Sequence, residues 1–184
     1  VIIKHTIPCG VAVTDQLAEA YTSARETDPD SAFGSAVGLN RTVDSATAEE
    51  LSSTFVEAVI ATDYSPQALE ILTKKKNIRL MEMKGEAPAP YLSPIHGLTF
   101  KKVGGGILAQ EEDVQPLDPS NLKTVTEREP TEGEMRALMF AWKVVKLIKS
   151  NAIVYATEKQ TVGIGAGQMS RVDSSRLAIM KARL

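Results

Sequence analysis

Cysteine and histidine are scarce in this chain: its 184 residues hold one Cys and two His. A single thiol, Cys9, excludes an internal disulfide and fits a reducing compartment. His5 and His96 lie far apart, and neither has the Cys/His spacing of a zinc site, so no metal is expected. Clustered positive charge is missing as well. The net charge is −2 and the isoelectric point is near 5.8, which leaves no field to hold nucleic acid. No apolar run approaches the ~18 residues that cross a bilayer, and the start lacks the charged and apolar regions of a signal peptide. A cytoplasmic protein without membrane or nucleic-acid partners is therefore expected.

What is present is an ordinary globular composition, 43 % hydrophobic. Short β-branched runs alternate with amphipathic patterns, the signature of an α/β sandwich with a mixed or mostly parallel sheet. Strands are expected at 1–4, 36–39, 59–61, 78–83 and 152–156. Leu17, Tyr21 and Ala24 mark one face of a helix over 14–24 that stops at Asp28-Pro29. Thr47-Ala48-Glu49-Glu50 reads as a capping box opening a helix that carries Leu51, Phe55 and Ala58. Ser65-Pro66 starts another, with Ala68, Leu69 and Leu72 inward. Lys74-Lys75-Lys76 reads as its solvated end. Residues 84–96 are proline-rich and aperiodic, a loop. "VGGGILAQ" reads as a glycine turn into a short strand, and 111–130 as a surface connector. Thr131-Glu132-Gly133-Glu134 is a second capping box. Met135, Leu138, Met139, Trp142, Val145 and Ile148 follow it at spacings of three and four, an apolar stripe better suited to a core than to a dimer seam. A last helix is expected from about Val172.

Four motifs carry possible chemistry. "VIIKHTIPCG" puts Lys4 and His5 at the end of an apolar strand, before an expected Pro-Cys-Gly turn. Ligands of open α/β sheets usually sit beyond the carboxyl ends of strands. There an imidazole can accept a proton from an attacking amine, and a neighbouring ammonium can assist a leaving group. A surface lysine beside a satisfied histidine fits the same residues. Cys9 reads as a semi-buried turn residue rather than a nucleophile. Gly34, after Phe33, suits either close approach of a ligand to the backbone or simple packing. Gly163-Ile164-Gly165-Ala166-Gly167 fails the spacing of both a dinucleotide fingerprint and a P-loop. It reads as a glycine-rich turn, flexible or anion-binding, leading to Gln168, Ser170 and Arg171 at a helix entrance.

Taken in order, "IIKHTIPCGVAV", "DPDSAFGSAVGLNRTVD", "EAVIATDYSPQALEILTKKKNIR", "GGGILAQ" and "PTEGEMRALMFAWKVVKLIKSNAIVYA" with "TVGIGAGQMSRVDSSRLA" resemble the AICAR transformylase portion of the bifunctional purine biosynthesis family, which joins that activity to IMP cyclohydrolase. The resemblance covers essentially the whole chain. It implies a cytidine-deaminase-like α/β/α fold without zinc. It divides the chain into a first unit over 1–125 and the start of a second over 126–184, a central stretch of a larger enzyme. It implies transfer of a formyl group from 10-formyltetrahydrofolate to the 5-amino group of AICAR, or else an inactive folded piece that only binds nucleotide or folate. It carries Lys4, His5 and Asn151 over as catalytic residues. Gly34, Glu57, Gln168, Met169, Ser170 and Arg171 are carried over as substrate-binding residues. A homodimer with shared active sites is implied as well.

Overall fold

The structure is a computed structural model that describes residues 1–83, 98–111, 113 and 115–182. The loop expected at 84–96, with His96, lies outside the described residues. Residues 1–83 and 126–184 form one compact unit and 84–125 a second.

The larger unit begins with a hairpin, β1 (Ile2–Lys4) and β2 (Ile7–Gly10), in which Lys4 opposes Ile7. The turn is therefore His5-Thr6, and Pro8-Cys9-Gly10 lies in a strand rather than in the expected turn. Then come α1 (Leu17–Glu26), the four-residue α2 (Pro29–Ala32), β3 (Ser35–Gly38), β4 (Thr42–Val43) and α3 (Ser45–Ser52). β5 (Val56–Ala61), β6 (Asp63–Tyr64), α4 (Pro66–Leu72) and β7 (Arg79–Glu82) complete the first stretch. Five strands form a mixed sheet in the order β2-β1-β3-β5-β7. β3, β5 and β7 are parallel, and β1 runs against both of its neighbours. The fold is thus mixed α/β, as the alternation indicates. The core packs Ile2, Val37 and Val59 of the sheet with Tyr21 and Ala24 of α1, Leu51 of α3 and Leu72 of α4.

Local chemistry explains where the helices start. Asp44, not Thr47, caps α3: its carboxylate accepts from the Thr47 amide at 2.8 Å. Thr47 is instead fully buried, and the helix ends at Ser52, so Phe55 and Ala58 lie outside it. Three residues that could each cap or turn (Asp44, Ser45, Thr47) sit together, and the carboxylate wins as the strongest acceptor. Ser65 caps α4 with Pro66 in its first turn, as the sequence indicates, but Leu69 is exposed.

The rest of the larger unit is α5 (Glu132–Val145), β10 (Ile153–Ala156), β11 (Thr161–Gly165) and α6 (Arg171–Lys181), numbered after the two strands of the second unit below. The capping box at Thr131/Glu134 forms. The expected apolar stripe is not a uniform core face: Ile148, just past the end of α5, is buried, but Leu138 and Trp142 are more than half exposed. The expected glycine-rich turn at 163–167 is mostly strand. A Cβ on Gly163 would lie 2.1 Å from the Ala178 carbonyl oxygen, and one on Gly165 would lie 1.9 Å from that of Ser174. Those glycines let α6 rest directly on the strand backbone. Of the three glycines at 163–167, Gly167 alone takes the left-handed conformation, with φ 69°.

In the second unit β8 (Leu98–Val103) and β9 (Gly106–Glu111) form an antiparallel hairpin, closed by Gly104-Gly105 with Gly105 at φ 84°. β9 and its turn match the expectation from "VGGGILAQ", whereas β8 has no counterpart in the expected strands. A one-turn 3-10 helix at Pro119–Asn121 follows, capped by Asp118.

Gly165→Ala is expected to destabilise the protein by roughly 3 kcal/mol, because the obstacle is helix backbone rather than a movable side chain. Gly104→Ala, which has open space around it, should change stability by less than about 0.5 kcal/mol. Denaturant unfolding of both variants checks this. Equal losses would remove the close-approach explanation.

Candidate functional site

Lys4 ends β1, and because β1 is antiparallel to β3 this end of the strand lies at the amino ends of β3 and β5. The sequence places the site beyond strand carboxyl ends. That holds for β1 itself, but not for the parallel strands beside it. Two residues at the start of the sheet's parallel portion, Gly34 and Phe55, are joined there by a hydrogen bond from the Gly34 amide to the Phe55 carbonyl, 2.8 Å.

The half-buried Lys4 ammonium donates to the carbonyl oxygens of Phe33 and Gly34, each at 2.8 Å. Gly34 has φ 65°, and a Cβ there would come within 3.2 Å of the Lys4 nitrogen and 3.4 Å of the Phe55 ring. Glycine is thus required by conformation, and any side chain there would also press on the Lys4 ammonium. An ammonium carries three N–H donors, so the clamp on this backbone leaves Lys4 one more to present.

His5 and Thr6 both have positive φ, 50° and 66°, forming a two-residue hairpin turn of left-handed residues. Histidine tolerates this conformation better than most residues, but a β-branched threonine does not. The Thr6 hydroxyl donates to the His5 carbonyl at 2.6 Å. The turn holds the exposed His5 at the tip of the hairpin, beside the Lys4 clamp. Strain of this kind, on the order of 1–3 kcal/mol, persists where surrounding structure imposes it and gathers at functional sites.

Glu57, second residue of β5, is at the same end of the sheet. Its carboxylate pairs with Arg79 of β7 at 2.8 Å, both side chains exposed. Phe33 and Phe55, 64 % and 41 % exposed, stack at a tilt with centroids 5.3 Å apart. Neither Phe55 nor Arg79 is among the residues that the sequence motifs indicate. Two exposed aromatics, each just before a strand, were the signal.

Asn151 organises a second cluster. Its side-chain amide donates to the Met169 carbonyl at 2.8 Å, and its backbone exchanges hydrogen bonds with Gln168 at 3.0 and 3.4 Å. The Ser174 hydroxyl donates to the Asn151 carbonyl at 2.7 Å. Ser170 caps α6, accepting from the amides of Val172 and Asp173, and Arg171 is the helix's first residue. Met169 is almost fully exposed. The structure therefore brings Lys4, His5 and Gly34 together, and separately Asn151 with Gln168, Met169 and Ser170. Glu57 is tied to Arg79 rather than directly to either group.

Cys9, on β2, is half-buried, and its thiol faces the Ile2 carbonyl at 3.5 Å. Burial, aided by the nearby Asp28 carboxylate, pushes this thiol up to about 11. That is the opposite of an activated nucleophile. Among the described residues no group of three or more His, Cys, Asp or Glu side chains has an arrangement that could hold a metal ion. No helix among them is long and apolar enough to cross a membrane.

Comparison with known proteins agrees with the motifs. The family model described as "AICARFT/IMPCHase bienzyme" matches residues 1–181. A protein of Magnetococcus marinus named "Bifunctional purine biosynthesis protein PurH" is 54 % identical over 184 residues, 100 % of this chain and 34 % of that protein. Proteins of the same name from Thermoanaerobacter sp. and Sorangium cellulosum are each 52 % identical over 99 % of this chain and 34 % of their own length. The chain thus spans about a third of the curated relatives it matches.

Two outcomes follow from the geometry. Thr6→Gly should stabilise the protein by ~1 kcal/mol, because the turn no longer forces a β-branched residue left-handed. A lowered melting temperature would show that the turn is not strained. At pH 8 the Cys9 thiol should react with iodoacetamide roughly 200-fold more slowly than an unhindered thiol, from ionisation alone. The rate should rise about tenfold per pH unit up to pH 10. A plateau near pH 9 would contradict the raised pKa.

Proposed function

The chain belongs to the AICARFT/IMPCHase bienzyme family, and we propose that it carries the formyl-transfer centre of such an enzyme. The reaction is transfer of a formyl group from 10-formyltetrahydrofolate to the 5-amino group of AICAR. The observation that carries this reading is the Lys4-His5 pair. One is clamped on the Phe33–Gly34 backbone, and the other is exposed in a left-handed turn beside it.

His5 takes the proton of the AICAR amine as its nitrogen attacks the formyl carbon. An imidazole is suited to this at neutral pH. The new carbon–nitrogen bond forms first, the bond from the formyl carbon to the folate nitrogen then breaks as the carbonyl re-forms, and that nitrogen leaves with a proton. Lys4 supplies the proton through the N–H not used by the two carbonyls. Before that proton moves, the Lys4 charge steadies the oxygen that becomes negative as the amine adds. Gly34 lets the nucleotide reach the backbone, with Glu57 near the base or ribose. Asn151 adds a third polar group at the reacting centre. Gln168, Met169, Ser170 and Arg171 line the folate side, and a homodimer shares its sites between copies. A weakly nucleophilic amine places most of the demand on orientation and proton transfer.

A second reading has its own support. The Lys4 clamp and the Asn151 cluster stand as separate hydrogen-bonded groups, which favours a folded piece that binds nucleotide or folate without turning them over. Calorimetry with AICAR, run beside a formyl-transfer assay, separates the two.

His5→Ala, made at the matching position of a full-length relative, should lower turnover by ~10²–10⁴-fold with AICAR affinity nearly unchanged. Lys4→Ala should lower turnover and weaken AICAR as well, because an ammonium contributes in the ground state. Wild-type turnover in the His5→Ala enzyme would end the proposal.

A further inference from the structure

The Asp28–Lys181 ion pair lies outside the residues assigned to the reaction, yet it joins the elements that hold both clusters. Lys181, in the last turn of α6, donates to the Asp28 carboxylate at 2.8 Å, and both side chains are largely shielded. Asp28 caps α2, accepting from the Ser31 amide at 3.2 Å and from the Ser31 hydroxyl at 2.6 Å. Burial opposes its charge, but the hydrogen bonds from Lys181 and Ser31 outweigh that and hold the carboxyl below its usual range. The pair is therefore intact at neutral pH.

α2 is only four residues long and runs directly into Phe33 and Gly34, the two carbonyls that Lys4 clamps. A helix that short has little stability of its own and stays where its ends are fixed. One end is fixed by Lys4 and the other by Lys181. At its opposite end α6 begins at Ser170 and Arg171 and binds the Asn151 carbonyl through Ser174. Eleven residues at 1.5 Å each make it a strut of roughly 16 Å. It rests on β11 without intervening side chains, at Gly163 and Gly165.

We propose that Asp28 and Lys181 are positioning residues: their ion pair fixes the end of α6 to the start of α2, and so sets the Asn151 cluster relative to the Lys4–Gly34 clamp. The inference rests on the reading of Lys4 and Asn151 as parts of one reacting centre. Neither side chain touches substrate in this account. Their effect falls on alignment, and misplacement of reacting groups by about 1 Å costs on the order of 10²-fold in rate.

Three variants test it. Asp28→Asn keeps a capping side chain but removes the charge. Lys181→Met keeps the stem without the charge, and Lys181→Arg restores the charge. Amide hydrogen exchange on this chain reads Gly34, bonded to Phe55, and Asn151, bonded to Gln168, against the core amides of β5. Both charge-removing variants should exchange at Gly34 and Asn151 about tenfold faster or more while β5 is unchanged, and Lys181→Arg should return them to within about twofold of wild type. In a full-length relative the matching charge removals should lower kcat about tenfold or more, with AICAR affinity within about twofold and recovery by arginine. Acceleration confined to Ser31, a uniform rise across the chain, or unchanged kcat overturns the proposal. If the wild-type relative transfers no formyl group, the functional reading fails instead, and exchange alone decides whether the pair couples the two clusters.

Discussion

A buried knot of three residues holds the larger unit together. The Thr27 hydroxyl, after α1, reaches the carbonyl and hydroxyl of Thr161 on β11, at 2.6 and 2.9 Å. The Thr161 hydroxyl in turn accepts from the Val11 amide at 2.9 Å, and the Thr161 amide donates to the Val11 carbonyl at 2.9 Å. Both threonines are essentially inaccessible to water. Buried hydroxyls are costly unless bonded, so each is satisfied only when the residues before 83 and those after 126 are in register. The Val13 amide and Lys159 carbonyl extend the same seam. The placement of Lys4 on one side and Asn151 on the other depends on this joint. A two-layer contact made only of aliphatic side chains would tolerate sliding, whereas a hydroxyl network has one geometry.

The reacting end of the sheet follows from one topological choice. β1 runs against the parallel strands, so the carboxyl end of one strand is delivered to the amino ends of β3 and β5. A hairpin turn, a positive-φ glycine and two strand starts then meet at one edge. The ammonium of Lys4 is the natural partner for carbonyl oxygens left unpaired where α2 gives way to β3, since Phe33 is already extended and Gly34 is left-handed. The lysine is thus a structural bond and a chemical group at once. A side chain that holds its surroundings in this way loses little orientation entropy when a substrate arrives.

Much of the architecture was legible in the sequence because periodicity and capping are local. The helices α1, α4, α5 and α6 and most strands follow from apolar spacing and from Ser65-Pro66 or Thr131/Glu134. The misreadings share a physical cause: they depend on what lies across the fold. Asp44 outcompetes Thr47 as a cap because a carboxylate is the stronger acceptor, and Thr47 is left buried behind it. Gly163 and Gly165 look like a turn until a helix backbone is seen against them. Pro8-Cys9-Gly10 is strand because His5-Thr6 takes the turn instead, a conformation that propensity disfavours. Leu138 and Trp142 obey a helical period yet remain exposed, since period tells which residues share a face and not what covers it. Of the candidate site residues, Lys4, His5 and Gly34 meet as a group, and so do Asn151 and Gln168–Ser170. The Asp28–Lys181 bond spans 153 residues of sequence, beyond the reach of any local pattern.

The larger unit is discontinuous, and this has a kinetic side. Thr27 and Thr161 are separated by 134 positions, so the first sheet is synthesised, with its parallel crossovers complete, long before its polar partner exists. Loop closure over that span costs more than over a helical hairpin, though only logarithmically. Until it closes, the Thr27 hydroxyl and the edge of β2 face water with donors and acceptors open. An edge in that condition can pair with any extended segment that passes, including the same strand of another nascent chain. The order of synthesis thus leaves a window in which the joint's own polar groups favour misassociation, and the window shuts only when β11 arrives.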